Sequence, residues 1–217
     1  MLSTGRWSGV TYVADEQSNP FGVEPDCDRF VPGFGDVEAD FHVIGDHPGV
    51  HGGVTSGVPF TETDDAKAFQ RALVRAGLLD KTGTPPTVDR TYFSYLHLCV
   101  PDRTPTEAEY DRYATFAEAE IRAITAHVLL PVGERATQWV FENMTTRSTD
   151  EIDMQALHAT EVLGSGWLVY PVAEPATWTD DDGQQLSEAL IELQERDYRR
   201  EADLGRLVGG DDPYFVR

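Results

Sequence analysis

Asp46, His47, His51 and Phe60 fall in one segment rich in glycine and proline, residues 41–61, which reads FHVIGDHPGVHGGVTSGVPFT. A carboxylate in such a turn either caps it through an Asx-type hydrogen bond or is presented to a ligand. Two histidines spaced by four can ligate a metal from one face of a helix, but Pro48 and the glycines are expected to forbid a helix here, and no zinc site is expected. Phe60 suits either a core position or an aromatic platform. The elements that must hold these groups follow from the flanks. A short apolar run, Phe41, Val43 and Ile44, breaks at Gly45 and reads as a strand delivering a long loop. Asp64 and Asp65 then open an amphipathic stretch that carries Ala68, Phe69, Leu73, Val74 and Leu78. Loops at the carboxyl ends of strands in open α/β sheets are where ligands bind.

The same alternation repeats along the chain. Residues 1–40 are turn-rich and are expected to form an irregular cap anchored by Phe21, Phe30, Val31 and Phe34. Strands are expected at 40–44, 91–98, 127–132 and 167–170. Helices are expected at 64–78, from 106 to about 125, around Ala136, Trp139, Val140 and Met144, and at 184–199. The helix beginning at 106 opens on a Thr106/Glu109 capping box and presents Tyr110, Tyr113, Phe116, Ala117, Ile121 and Ile124 as its apolar face. Residues 145–155 read as polar loop and the aspartates at 180–182 as a solvated lead into the last helix. From Glu201 onward no period is visible apart from Tyr214, Phe215 and Val216. The pattern predicts one domain over 1–217, an α/β fold: a three-layer α/β/α sandwich with a central, mostly parallel four-stranded sheet.

Composition narrows the setting. The 217 residues hold two cysteines, Cys27 and Cys99, too few for a disulfide scaffold or a four-thiolate metal or cluster site, and two buried free thiols are expected. No apolar run approaches the ~18 residues of a membrane span, and the start of the chain has neither the basic stretch nor the apolar core of a signal peptide, so a cytoplasmic protein with no membrane partner is expected. The formal charge is −21, with acidic residues scattered throughout and 15 of 17 basic residues being Arg, Lys67 and Lys81 the exceptions. This looks like the acidic surface of a halophile. In molar salt the Debye length is about 3 Å, so the charge does not exclude nucleic acid at close range.

Three stretches, in this order of elements, resemble the uracil-DNA glycosylase superfamily, in particular its families 4 and 5. GDHPGVHGGVTSGVPFT (45–61) is similar to the family's glycine, acidic or apolar residue, Ala-Pro-Gly/Ala, then Gly-x-Pro-Phe. YLHLCVPDRTPTEAE (95–109) resembles its strand ending in Asn-x-x-x-Cys-x-Pro-Pro followed by Arg-x-Pro-Thr. HVLLPVGERATQWV (127–140) is similar to its strand and Leu-Gly-x-x-Ala helix start, and RFVPGFGDVEADFHVIG resembles its Val-x-Gly-x-Gly approach.

The resemblance, over about residues 25–190, implies a monomeric enzyme that excises uracil or another deaminated base from DNA. Such an enzyme extrudes the base from the stack and lets water attack the sugar as the base leaves. It implies that Asp46, with His47 beside it, is the catalytic carboxylate orienting that water and stabilising charge at C1′. It places Gly45, Gly49, His51, Phe60 and Tyr95 around the base, with Phe60 stacking on it. Arg103 and Thr106, ahead of a helix N-terminus, become phosphate contacts; Val172 and Glu174 become DNA contacts, and Glu174, Pro175 and Trp178 fall where the family inserts a wedge into the duplex. The sequence also departs from the pattern. YPVAEPAT (170–177) stands where the family has His-Pro-Ser, Tyr95 stands where it has Asn, and of the cluster thiolates Cys99 has a clear counterpart, Cys27 lacks its mate and Tyr113 takes the last cysteine position. No iron–sulfur cluster or other cofactor is therefore expected. Two alternatives stay open: a weak or inactive relative that binds a nucleobase or nucleic acid, and an enzyme acting on free nucleosides or nucleotides.

Overall fold

The computed structural model describes residues 6–7, 10–11, 17–149, 152–179 and 181–207. Four parallel strands form the centre: β2 (Phe41–Gly45), β3 (Thr91–Tyr95), β4 (Val128–Pro131) and β6 (Leu168–Val169). Antiparallel edges are added by β1 (Phe34–Gly35) against β3 and β5 (Val162–Leu163) against β6, which gives six strands in the order β1-β3-β2-β4-β6-β5 rather than the expected four. The edge strands are two residues each, too short to carry an alternating pattern that a sequence would reveal.

The parallel strands are buried along their whole length, as strands covered on both faces must be. Alternate side chains divide between two layers. Phe41, Val43, Phe93, Val128, Leu130 and Leu168 pack with Phe69, Leu73, Leu186 and Leu190 from α2 (Asp64–Arg75) and α6 (Asp182–Gln194). Ile44, Leu129 and Val169 pack on the opposite face with Ile121, Val140 and Phe141 from α3 (Glu107–Ile124) and α4 (Glu134–Met144). Thr63 caps α2 by accepting from the Ala66 N–H at 3.0 Å, and Glu109 closes the capping box of α3 by accepting from the Thr106 N–H at 2.7 Å.

Three expectations are corrected. The first concerns His47 to His51, where α1 (Pro48–His51) makes one helical turn. Proline is tolerated because it sits at the first helical position, where its missing N–H has no partner to lose. His47 acts as N-cap through Nδ1, and Gly52, at φ +88°, ends the turn. The second concerns the cysteines, which are not free: Cys27 and Cys99 are disulfide-bonded across 72 residues. The N-terminal segment runs beside the exit of β3, with the Val31 N–H donating to Leu98 O at 2.8 Å and the Val100 N–H to Arg29 O at 2.9 Å, and that pairing brings the thiols together. The third concerns the C-terminal side, where a separate helix, α7 (Tyr198–Leu207), follows α6. Its anchor is partly polar, since Arg199 and Tyr198 both bond the buried Asp40 carboxylate, while Tyr198 and Ala202 pack into the core. Asp180 and residues 214–216 lie outside the described residues.

Candidate functional site

The loops that leave β2, β3, β4 and β6 converge at the carboxyl edge of the sheet. Asp46 is the first residue past β2 and is fixed at two points. Its backbone N–H donates to His51 Nδ1 at 3.0 Å, and its Oδ1 accepts a short hydrogen bond from the Tyr110 hydroxyl of α3. Among the described residues, none donates a hydrogen bond to Asp46 Oδ2. Burial, then the Asp46 bond and charge, hold the Tyr110 phenol well above its ordinary range, so it remains a donor.

His51 is buried and fully engaged. With Nδ1 accepting from Asp46, the proton resides on Nε2, which donates to Glu174 Oε2 at 3.1 Å. Its ring stacks on Phe60 at 5.0 Å between centroids and 20° between planes. Phe60 is 1 % exposed and adopts φ +54°, a left-handed conformation that costs a bulky residue about 1–2 kcal/mol. It is held there because its N–H donates to the Tyr95 hydroxyl at 2.9 Å and its carbonyl accepts from Gln70 Nε2 at 2.7 Å. Tyr95 in turn donates to Gly52 O at 3.0 Å, so its hydroxyl is committed in both directions to the loop backbone. Gly45 lies beneath these rings. A Cβ there would come within 2.7 Å of Phe60 and Tyr95 and 2.8 Å of His51, so only glycine lets the three close over the strand end.

Glu174 is brought to His51 by the loop after β6. His158, at the end of α5 (Met154–Leu157), accepts from the Ala173 N–H at 3.0 Å and donates from Nε2 to the Asp182 carbonyl at 2.9 Å, while Trp178 Nε1 donates to Ala173 O at 2.8 Å. The loop is thereby fastened to α6, and Gly133 makes room for the Glu174 carboxylate beside the start of α4, where a Cβ would lie 2.8 Å from it.

His47, the N-cap of α1, is buried, and desolvation lowers its pKa against the opposing pull of Asp46. Gly49 is exposed beside it. His97, 6.4 Å from His47 between ring centroids, donates from Nδ1 to the Cys99 carbonyl and lines a cleft of about 220 Å³ together with the disulfide, Val100, Pro101, Arg103 and Tyr113. Arg103 and Glu109 line this cleft; Arg103 bonds Glu109 through two contacts of 2.9 Å, and the Thr106 hydroxyl donates to the same carboxylate. Val172 is fully buried and bridges to Val132, so its side chain does not reach the surface. The structure thus gathers Gly45, Asp46, His47, His51, Phe60, Tyr95 and Glu174, sets Arg103 and Thr106 at the rim, and leaves Val172 in the core. Tyr110, Arg135, His97 and His158 were not singled out. Tyr110 was legible only as a residue of the apolar face of its helix, and nothing in the sequence pointed its hydroxyl at a loop 64 positions earlier.

An open, mostly parallel α/β/α sandwich whose charged loops meet at the carboxyl ends of its strands belongs to the ligand-binding doubly wound class. Residues 32–194 match the model of the uracil DNA glycosylase superfamily, and the chain belongs to that superfamily. It is similar to a type-5 uracil-DNA glycosylase of Thermus thermophilus, 38 % identical over 106 residues, 46 % of this chain and 48 % of that protein. It is also similar to one of Pyrobaculum aerophilum, 27 % identical over 177 residues, 77 % of this chain and 75 % of that protein. The match therefore spans about half the length of the Thermus relative and three quarters of the Pyrobaculum one.

Proposed function

We propose that this protein is a DNA base-excision glycosylase that hydrolyses the N-glycosidic bond of uracil or another deaminated base. One observation carries the reading: a carboxylate, Asp46, held at its backbone by His51 and at one oxygen by Tyr110, just past the carboxyl end of β2 and inside the stretch that matches the superfamily model. A fixed carboxylate with a free oxygen can orient water and stabilise the positive charge that develops at C1′ as the base departs. Asp46 takes this role, with His47 beside it. Phe60 and Tyr95 form the wall against which an extruded base stacks, with Gly45, Gly49 and His51 around it. Arg103 and Thr106 exchange Glu109 for a backbone phosphate, and Glu174 lies along the path of the duplex. A four-ligand iron–sulfur cluster does not fit these residues, because the chain has two cysteines and they are bonded to each other. The protein works as a monomer without a cofactor. The acidic, arginine-biased composition supports a salt-adapted cytoplasm as its setting.

A second reading, a nucleobase-binding relative with little or no activity, is favoured by the closed stack of His51 on Phe60 and by the absence of histidine from residues 170–177. The two separate in single-turnover base release from uracil-, hypoxanthine- and xanthine-containing single- and double-stranded oligonucleotides in molar KCl. Release that collapses in Asp46→Ala supports the glycosylase. No release over hours from any substrate, with enzyme in large excess, leaves the binding module.

A further inference from the structure

We infer that Tyr110, braced by Arg135, is the positioning residue for the hydrolytic step, fixing the Asp46 carboxylate by one oxygen so that the other is left to orient water. The inference rests on the glycosylase reading above. The hydroxyl of Tyr110 is the one side-chain donor to Asp46 among the described residues. Without it the carboxylate is free to rotate about its last bond, because the remaining anchor, His51, holds only the backbone N–H.

The ring that carries this hydroxyl is clamped. Arg135 of α4 lies over one face with its guanidinium carbon 4.2 Å from the ring centroid, and His97 packs edge-on at 5.6 Å. Arg135 is itself held by Glu107 through contacts of 3.0 and 2.8 Å. Glu107 and Tyr110 are three residues apart on α3, hence on one face, which lets a single guanidinium engage both. The pairing has an electrostatic consequence. A cation over the ring makes the phenol a stronger donor, while Glu107 offsets the charge of Arg135, so the negative charge of Asp46 remains available to a developing oxocarbenium ion.

The test is a double-mutant cycle in single-turnover base release on uracil DNA at saturating enzyme, in molar KCl, with DNA affinity measured separately. Tyr110→Phe is expected to slow release about tenfold to a hundredfold, the scale of one hydrogen bond to a charged group, while the Kd for DNA stays within about twofold. In the Asp46→Ala background the same substitution is expected to change nothing further, because it acts through that carboxylate. Arg135→Met is expected to shift the rate in the same direction by less, and it completes the same cycle should Tyr110→Phe fail to fold. Wild-type rates in both variants, or losses that multiply with that of Asp46→Ala, overturn the inference while leaving the glycosylase reading intact. Absence of base release from the wild type removes both, and is recognised because Asp46→Ala then behaves like the parent.

Discussion

Glu120 presents a sharp test of how the fold tolerates buried polar groups. It lies on α3, inside the sandwich, where its Oε1 accepts from the Tyr92 hydroxyl at 2.9 Å, and burial pushes its pKa up from 4.5 to about 8. In the same layer His42 packs against Tyr92 at 5.1 Å and bonds Ser94 at 2.8 Å, and burial drives its pKa from 6.5 down to about 3. The signs are opposite. Between pH 4.5 and 8 the unfolded chain releases the Glu120 proton while the folded chain keeps it, so stability falls as pH rises, by about 1.4 kcal/mol per unit. Between pH 3 and 6.5 the unfolded chain binds a proton at His42 and the folded chain does not, so stability falls as pH drops, at a similar rate. The two contributions cancel from pH 4.5 to 6.5, and above that the slope of Glu120 stands alone.

Glu120→Gln keeps an acceptor for Tyr92 and cannot ionise. Relative to wild type it is expected to gain about 2 kcal/mol between pH 6.5 and 8, after whatever constant cost its extra buried N–H imposes, typically about 1–3 kcal/mol. His42 and His47 titrate in both proteins and drop out of the difference. Urea unfolding at half-unit steps from pH 5 to 9 at constant KCl reads it directly. Wild-type and Glu120→Gln curves that run parallel over that window would refute the assignment of a neutral buried acid.

Other consequences can be measured in the same way. Tyr95→Phe strands the Phe60 N–H and the Gly52 carbonyl without their partner, and is expected to cost about 2–4 kcal/mol in urea unfolding together with faster hydrogen exchange at Phe60. Replacing Cys27 and Cys99 together by Ser opens a 72-residue loop and should lower stability by about 4 kcal/mol, a loss that reduction of the wild type reproduces. On the proposed reading, DNA affinity plotted against KCl concentration on logarithmic axes should have a slope shallower than about −3, since Arg103 is the guanidinium assigned to a phosphate; a slope near −6 would mean that other cations carry the contact.

The four parallel strands were legible because each is an apolar or β-branched run closed by a turn, and the main helices because their apolar faces keep a 3.6-residue period. What escaped has a physical cause in each case. β1 and β5 are two residues long and owe their assignment to a neighbour. α7 puts only the single pair Tyr198 and Ala202 among the described core residues and is otherwise fastened by Asp40, 159 positions from Arg199, and a salt bridge leaves no period. The turn α1 is hidden because Pro48 reads as a helix breaker, although at the first helical position it costs no hydrogen bond. Asp46 stood out through its motif, but its partner Tyr110 did not, since a tyrosine on an apolar helical face reads as core whether or not its hydroxyl reaches a charged neighbour. The sequence thus exposes the groups that bear charge and hides those that aim them.

On the proposed reading, the ion pairs at the site bear on how so acidic a surface receives a polyanion. Arg103 is engaged by Glu109 and Arg135 by Glu107, while Arg29 donates to the Val54 carbonyl of the motif loop at 2.7 Å. The Arg103 pair is exposed, with side-chain accessibilities of 62 % and 37 %, and such pairs contribute little even in dilute buffer. In molar salt the screening length, about 3 Å, is comparable with the 2.9 Å contact itself, so on the proposed reading the cost of trading Glu109 for a phosphate falls further, while the long-range repulsion from −21 charges is strongly screened. The bond from Tyr110 to Asp46 is half-buried and short-range, and salt weakens it little. On the proposed reading, high ionic strength therefore acts selectively on this site: it loosens the Arg103–Glu109 pair, where a substrate phosphate would dock, and leaves intact the geometry that holds the carboxylate.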